Sequence, residues 1–376
     1  MRRSAAAVVL FCLAACLAVS AQNAATQKVV KGPVVSNVQT DRATLTWVTH
    51  RPSGVLRKEG SAEEKPVEEP VYHRVEMKGL QAGTRYSYDL SSYGADARGS
   101  FVTAPAGDAP FSFLVFGDTR TRHEFHRKIA ARMTAEKPSF ILHTGDLVAN
   151  GLLSEDWDVF FDIERELLRT TAFFPVYGNH DRNADVFSQY FAFPGGNPHR
   201  FSFDWGTVHF VGLDSNEVGT TPQDRNAFRQ EMLAWLKDDL RRNKKPLTFV
   251  YFHHPLYSAV ESRKTSAAKL GELYEPLFVE TGVTAVFAGH DHNYQHHVAK
   301  GVHHVVTGGG GAPLYEVDPI PEITLKAVKV ENYVRVTVNG AKAKVEGIDI
   351  DGNRLESFDM TGRSVLAPAP ATGRSN

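Results

Sequence analysis

A layered α/β domain preceded by a small all-β sandwich is the fold class that this 376-residue sequence predicts, and two observations carry it. The first is a set of five short apolar runs: FSFLVFGD (111–118), SFILHTGD (139–146), FFPVYGNHD (173–181), TFVYFHH (248–254) and TAVFAGHDH (284–292). Runs of that length bounded by Gly and polar residues read as buried parallel strands. The second is a change of period. Short alternating strands fill residues 28–104, after which strands alternate with amphipathic helical patterns.

The elements follow in chain order. The start, MRRSAAAVVLFCLAACLAVSA, combines a two-arginine head, an apolar stretch too short to span a bilayer comfortably and a Val19-Ser20-Ala21 site, so residues 1–21 read as a signal peptide. A competing reading takes Leu13-Ala14-Ala15-Cys16 as a lipobox, with Cys16 as a lipid anchor. Both readings export the chain, to periplasm or medium or onto a membrane, and neither leaves a transmembrane segment in the mature protein. Residues 28–104 carry ATLTWVTH, VYHRVEMKGL, GTRYSYDLSS and GSFVTAPAG, the strands of the sandwich. EEKPVEEP, with two prolines and four glutamates, is expected to be a solvated loop. APAGDAP is the linker. HEFHRKIAARMTAE, EDWDVFFDIERELLR and RNAFRQEMLAWLKDDLRRN are the helices, and the last ends in basic residues that suit the helix dipole. Residues 313–360 return to short strands with turns at Asn339-Gly340 and Asp351-Gly352, and 361–376 are expected to be disordered.

Composition narrows the chemistry. Both cysteines, Cys12 and Cys16, lie in the leader, so any metal must be held by oxygen and imidazole. A formal net charge of -1 supplies no basic field for nucleic acid or anionic lipid, which leaves small partners. Each of the five runs stops on residues of metal-ligand type: Asp118, Asp146, Asn179-His180-Asp181, His253-His254, and His290 with His292. Open α/β sheets place their sites beyond the carboxyl ends of strands, so these ends are expected to converge. His290 and His292, two apart on an extended segment, point the same way.

The succession GD, GD, GNHD, HH and GHDH resembles the motif set of the calcineurin-like metallophosphoesterases, and the chain is similar to their purple acid phosphatase branch. The Trp47 strand and the Leu80-x-Ala-Gly-Thr-x-Tyr86-x-Tyr88 stretch resemble the core tryptophan and tyrosine corner of the fibronectin type III-like domain that precedes the catalytic domain in that branch. The resemblance covers about residues 28–312. It implies a four-layer αββα catalytic domain at 111–312, completed by 313–360. It also implies a dinuclear metal centre: Asp118 and His292 on the first metal, Asp146 bridging, and Asn179, His253 and His290 on the second. His180, oriented by Asp181, would face the phosphate. The implied activity is hydrolysis of a small phosphate monoester by a metal-bridging hydroxide, as in acid phosphatases. Diester hydrolysis is the alternative within the class, and a non-catalytic scaffold with a degenerate centre the alternative outside it.

Two positions depart from the pattern. Ala149 stands where the purple enzymes carry a tyrosinate, so no purple colour is expected. Arg120 stands where many metallophosphoesterases carry a histidine, which leaves the first metal short of a protein ligand. Water, His123 or His126 would complete the shell, the two histidines otherwise being surface helix residues. Arg120 itself either contacts phosphate or pairs with a carboxylate. The O/N donor set suits two divalent or mixed-valence ions of Mn, Zn or Fe. His254 and His296 are further candidates for substrate contact. Gly308 to Gly311 is expected to be a crowded turn, because it lacks the Lys-Ser/Thr of a phosphate loop. His303 and His304 are expected to be structural. Loops 149–157, 185–200 and 257–269 are expected to set specificity.

Overall fold

The computed structural model describes residues 27–57 and 64–363. The expected signal peptide, Cys16 and the tail beyond residue 363 lie outside the described residues. Strands β1 (Lys31–Ser36), β2 (Arg42–Arg57) and β3 (Glu64–Lys78) form an antiparallel sheet in that order. A second sheet pairs β4 (Arg85–Asp89) with β5 (Arg98–Val102). Trp47 is buried on β2 and its ring stacks on His73 of β3 at 4.9 Å. The Tyr86 hydroxyl accepts the Gln81 N–H at 2.8 Å, tying the start of β4 to the turn before it.

Most of EEKPVEEP corrects its expected loop: Glu64 to Pro70 form the first half of β3 and pair with β2 from Arg57 to His50. Both prolines sit on an edge strand, where a missing N–H breaks no second ladder. The segment is nevertheless largely exposed, as its charge requires.

The layered domain begins with β6 (Phe111–Phe116), α1 (His123–Glu136), β7 (Phe140–His143), α2 (Ser154–Thr170), β8 (Ala172–Pro175) and α3 (Asp185–Tyr190). It continues with β9 (Arg200–Trp205), β10 (Val208–Leu213), α4 (Pro222–Arg242), β11 (Leu247–Tyr251), α5 (Lys264–Thr281) and β12 (Ala285–Ala288). Six strands close it: β13 (Tyr294–Ala299), β14 (Val302–Thr307), β15 (Thr324–Val328), β16 (Asn332–Asn339), β17 (Lys342–Asp349) and β18 (Arg354–Thr361). The helical patterns fall on α1, α2 and α4. The sequence reading missed α5 and α3, and α5 overlaps a segment expected to be a specificity loop. The turns expected at Gly340 and Gly352 connect β16 to β17 and β17 to β18, both glycines with positive φ.

One sheet has the order β18-β17-β16-β6-β7-β8 and the other β15-β13-β14-β12-β11-β10-β9. They face each other across an aromatic layer. Phe113 and Phe140 of the first sheet stack at 4.9 Å, and Phe113 meets Phe210, Phe249 and Phe287 of the second. Each such fully buried ring contributes about 1.5–3 kcal/mol. Helices α1 and α2 cover the outer face of the first sheet, His126 packing near Phe116 and Phe160 near Phe173. Met232, Leu236 and Leu240 of α4 and Tyr274 and Phe278 of α5 cluster with Val211, Val250 and Val286 on the second. The layers are thus α, β, β, α.

Strands β6, β7 and β8 run parallel and in register, as do β11 and β12. Their carboxyl ends, three from one sheet and two from the other, open at the same end of the molecule. The C-terminal strands widen both sheets: β16 pairs antiparallel with β6, while β15 pairs with β13.

Candidate metal centre

The turns after these strands are held in a conformation that few side chains adopt. Asp118, Asp146 and His290 all have positive φ, at 59°, 57° and 67°. Non-glycine residues in this left-handed region are strained, and three at one site point to an arrangement imposed by the surrounding loops. The loops bond to one another: the Asp118 N–H donates to Gly145 O, the Thr119 N–H to Asp146 O and the Gly289 N–H to His253 O. The approach is close enough that a Cβ on Gly178 would lie 2.1 Å from the Asp146 nitrogen. The glycine run 308–311 is a crowded turn packed on this floor, Gly310 donating its N–H to Gly117 O.

Two clusters of donor atoms result, in each of which the ligand atoms lie within 4.8 Å of one another. The first is Asp118, Asp146 and His292, all buried. His292 Nδ1 lies 2.6 Å from Pro313 O, a carbonyl that only accepts, so Nδ1 carries the proton and Nε2 keeps its lone pair. That Nε2 is 3.3 Å from Asp118 Oδ1. Among the described residues the same Asp118 oxygen, buried, has no hydrogen-bond partner, the state expected of an acceptor meant for a cation.

The second cluster is His253, His254 and His290, with Asn179 beside it. His253 Nδ1 donates to Thr144 O at 2.9 Å, leaving Nε2 to face Asn179 Oδ1 at 3.1 Å and His290 Nδ1 at 3.2 Å. Burial and the neighbouring His253 and His254 push His290 far below the usual imidazole range and keep it neutral. Asp146 lies between the clusters. Its Oδ1 is 3.4 Å from His253 Nε2, and its Oδ2 is the oxygen that Arg120 contacts beside His292. The residues expected as metal ligands are therefore brought together, and their O/N chemistry fits a pair of hard or borderline cations.

His180 sits at the rim, 31% exposed, with Nε2 4.0 Å from Asp146 Oδ2. Its orientation differs from the expectation. Its Nδ1 donates to Ala149 O at 2.8 Å, and among the described residues the Asp181 carboxylate bonds backbone N–H groups rather than the ring. The Asp181 carboxylate points inward and accepts backbone N–H groups from Gly178, Asp146, Leu147 and Val148 at 2.8–3.4 Å. Burial and the adjacent Asp146 push its carboxyl upward, while these donors act in the opposite direction. Asp181 thus ties the GNHD loop to the turn after β7, four N–H groups being a better match for a buried carboxylate than one imidazole.

Other expectations divide. Arg120 pairs with Asp146 at 3.3 Å, the carboxylate alternative. His254 is beside the site, its ring centroid 4.4 Å from that of His290 and its Nδ1 2.9 Å from Ser215 Oγ. Burial, reinforced by His253 and Arg263, lowers it to about 3. His296 is a correction: it is buried on β13, stacked on Phe358 at 3.8 Å and 3.0 Å from His303, on the face of the strand turned to β18. His126 is a second correction. It is buried rather than on a helix surface and bonds Glu164 of α2 at 2.6 Å, so it cannot bend to the first cluster. His123 belongs to neither cluster.

Residues that motif reading passed over support the loops. His143 is buried under the turn after β7, its Nδ1 accepting the Gly145 N–H. Asp291 is buried and accepts from Ser258, Gln295 and Arg263. Tyr315 stacks on His292 at 4.3 Å with the Arg263 guanidinium 4.5 Å from its ring centre on the way out. Asp291 lay inside a recognised motif, and its full burial is what a central HDH carboxylate would need in order to fix the turn. Nothing in the sequence signalled Tyr315. Beside Asn179, His254 and His290 opens a cavity of about 630 Å³ between α4 and α5, floored by Phe228, Met232 and Leu270 and edged by Arg229 and Lys269.

Comparison with known proteins agrees with this geometry. Residues 111–294 match the family model described as calcineurin-like phosphoesterase. The chain is 26% identical to purple acid phosphatase 18 of Arabidopsis thaliana, over 67% of this chain and 61% of the relative. It is also 26% identical to purple acid phosphatase 1 of Ipomoea batatas, over 59% and 51%. The chain thus spans about half to three-fifths of the length of these curated relatives. A solved purple acid phosphatase from yellow lupin (Lupinus luteus) seeds shares the fold with a TM-score of 0.68 at 19% identity, over 87% of this chain and 73% of that one.

Proposed function

Because residues 111–294 match the calcineurin-like phosphoesterase family model, we propose that the chain is an exported, metal-dependent hydrolase of phosphate monoesters. The observation that carries this reading is Asp146. Its two oxygens face two separate donor clusters, as a bridging carboxylate must. On this reading Asp118 and His292 hold the first ion and Asn179, His253 and His290 the second. Bound there, two divalent cations supply a Lewis-acid clamp on the ester and lower the pKa of coordinated water toward neutrality.

The chain's own residues do the rest. His180, its Nδ1 proton committed to Ala149 O, acts as the imidazolium: it presents a second N–H, at Nε2, to the departing oxygen, gives up that proton and is left as the neutral ring. Asp181 holds the backbone from which His180 and Asn179 project. His254 contacts the bound ester from the side of the second cluster. The cavity between α4 and α5 receives the leaving group. The two N-terminal sheets form a fibronectin type III-like companion, a reading supported by the Tyr86 corner. Export rests on the leader; among the described residues no helix is long and apolar enough to cross a membrane.

The test is hydrolysis of a monoester and a diester of one chromophore by metal-stripped protein to which Mn, Zn or Fe is restored singly. Metal-restored turnover, favouring the monoester and reduced at least about a hundredfold in Asp146→Asn, is expected, since outer partners alone are worth 10–100-fold. Bound metal without turnover on either ester would instead indicate a scaffold.

A further inference from the structure

The first donor cluster contains a competitor for its own ligands. Arg120 Nε lies 3.3 Å from Asp146 Oδ2, and its Nη2 lies 3.4 Å from His292 Nε2. Because His292 Nδ1 donates to Pro313 O, Nε2 has a single lone pair to offer. A guanidinium N–H and a metal ion cannot both use it. The Asp146 oxygen engaged by Arg120 is likewise the one that faces the first cluster. Arg120 is only 14% exposed, carries a positive charge, and is steadied by a 3.3 Å contact from Nη1 to Thr121 Oγ1. Among the described residues the second cluster has no such intruder: Asn179, His290 and Asp146 Oδ1 each face His253 Nε2 without a cationic side chain between them.

On the reading of this site as a metal centre, we propose that Arg120 is a tethered cation that makes the centre load unevenly. One ion is held firmly by Asn179, His253, His290 and Asp146. The other is held weakly and exchangeably by Asp118, Asp146 and His292. For the weak site to fill, the guanidinium must leave both ligands, and it then remains within a side chain's reach as repulsion to the incoming ion. The same outward swing places its planar donors over the centre, where an anionic ester can recruit them. Substrate and second ion therefore bind cooperatively, each favouring the conformation that the other needs.

The experiment is metal binding by the full mature chain, stripped by chelation and titrated with Mn²⁺ in a calorimeter, with metal content measured after gel filtration. Wild type is expected to retain one equivalent through filtration and to show a second step at least about tenfold weaker, a step tightened by inorganic phosphate. Arg120→His, which exchanges the cation for a ligand, is expected to retain two equivalents with the weak step at least about tenfold tighter. Arg120→Lys keeps the charge and is expected to stay uneven, which separates charge from packing. Two equal equivalents in wild type, unchanged in Arg120→His, would overturn the proposal. Failure of both proteins to bind any Mn²⁺, Zn²⁺ or Fe²⁺ would defeat the metal-centre reading itself and this proposal with it.

Discussion

His180 gives one nitrogen to the Ala149 carbonyl and offers the other to the site, and a residue so placed can be removed without loosening any ligand. His180→Ala is therefore expected to lower kcat by about 10²–10⁴-fold, the usual contribution of a positioned general acid, while metal content measured by elemental analysis stays as in wild type. Asp181 behaves differently. Asp181→Leu leaves four buried N–H groups without an acceptor, and a loss of about 3–5 kcal/mol is expected in urea unfolding, together with loss of bound metal. These two residues also show what is legible at this scale. The types and order of the ligands were readable because strand ends deliver them in contiguous motifs. The direction of a carboxylate was not: Asp181 faces the turn after β7, more than thirty residues earlier, and His296 lies four residues past His292 yet turns toward β18.

Strands were the most legible elements, since a buried parallel strand leaves a continuous apolar run and a polar stop. Helix α5 escaped because Gly271 and Pro276 interrupt its period; Gly271 permits close approach, a Cβ there lying 3.3 Å from Leu256 O. The junction of β9, β10 and α4 yields a pH prediction. His209 of β10 is held between Asp204 of β9 and Asp239 of α4 at 2.7 and 2.8 Å. Burial disfavours its charge, but the bonds to Asp204 and Asp239 outweigh this and raise it to about 9. A folded-state value above the ordinary 6.5 means that the stabilisation is complete below pH 6.5 and vanishes as pH rises through about 9. Its size is at most about 3 kcal/mol, less some screening at the half-exposed Asp204. Urea midpoints of wild type should fall between pH 6.5 and 10, whereas those of His209→Gln should start lower and fall less over that interval.

At the scale of the whole molecule, the N-terminal sheets are fastened to the layered domain through α2 and α3. The Tyr88 hydroxyl donates to Arg169 O at 2.9 Å, Lys31 pairs with Asp158, and Arg74 reaches the Ser188 and Phe191 carbonyls. Gly99 approaches so closely that a Cβ would fall 2.1 Å from Arg169 O. Gly99→Val must therefore displace β5 from α2, and calorimetry should show a lower unfolding midpoint with the single transition split in two. None of this docking was visible in the sequence, where the aromatic and basic residues involved read as ordinary members of a small sandwich.

The division of strand ends between the sheets has a mechanical consequence. Asp118, Asp146 and Asn179 follow strands of one sheet, while His253 and His290 follow strands of the other, so ions shared among them, as proposed, would act as a keystone at the open end of the sandwich. Ions bound only when both sheets are in place add RT ln(1 + [M]/Kd) to the work of pulling them apart, about 2.7 kcal/mol at a hundredfold excess over Kd. The melting temperature should therefore climb with the logarithm of free metal concentration, so that the supply of metal would govern the protein's lifetime as well as its turnover.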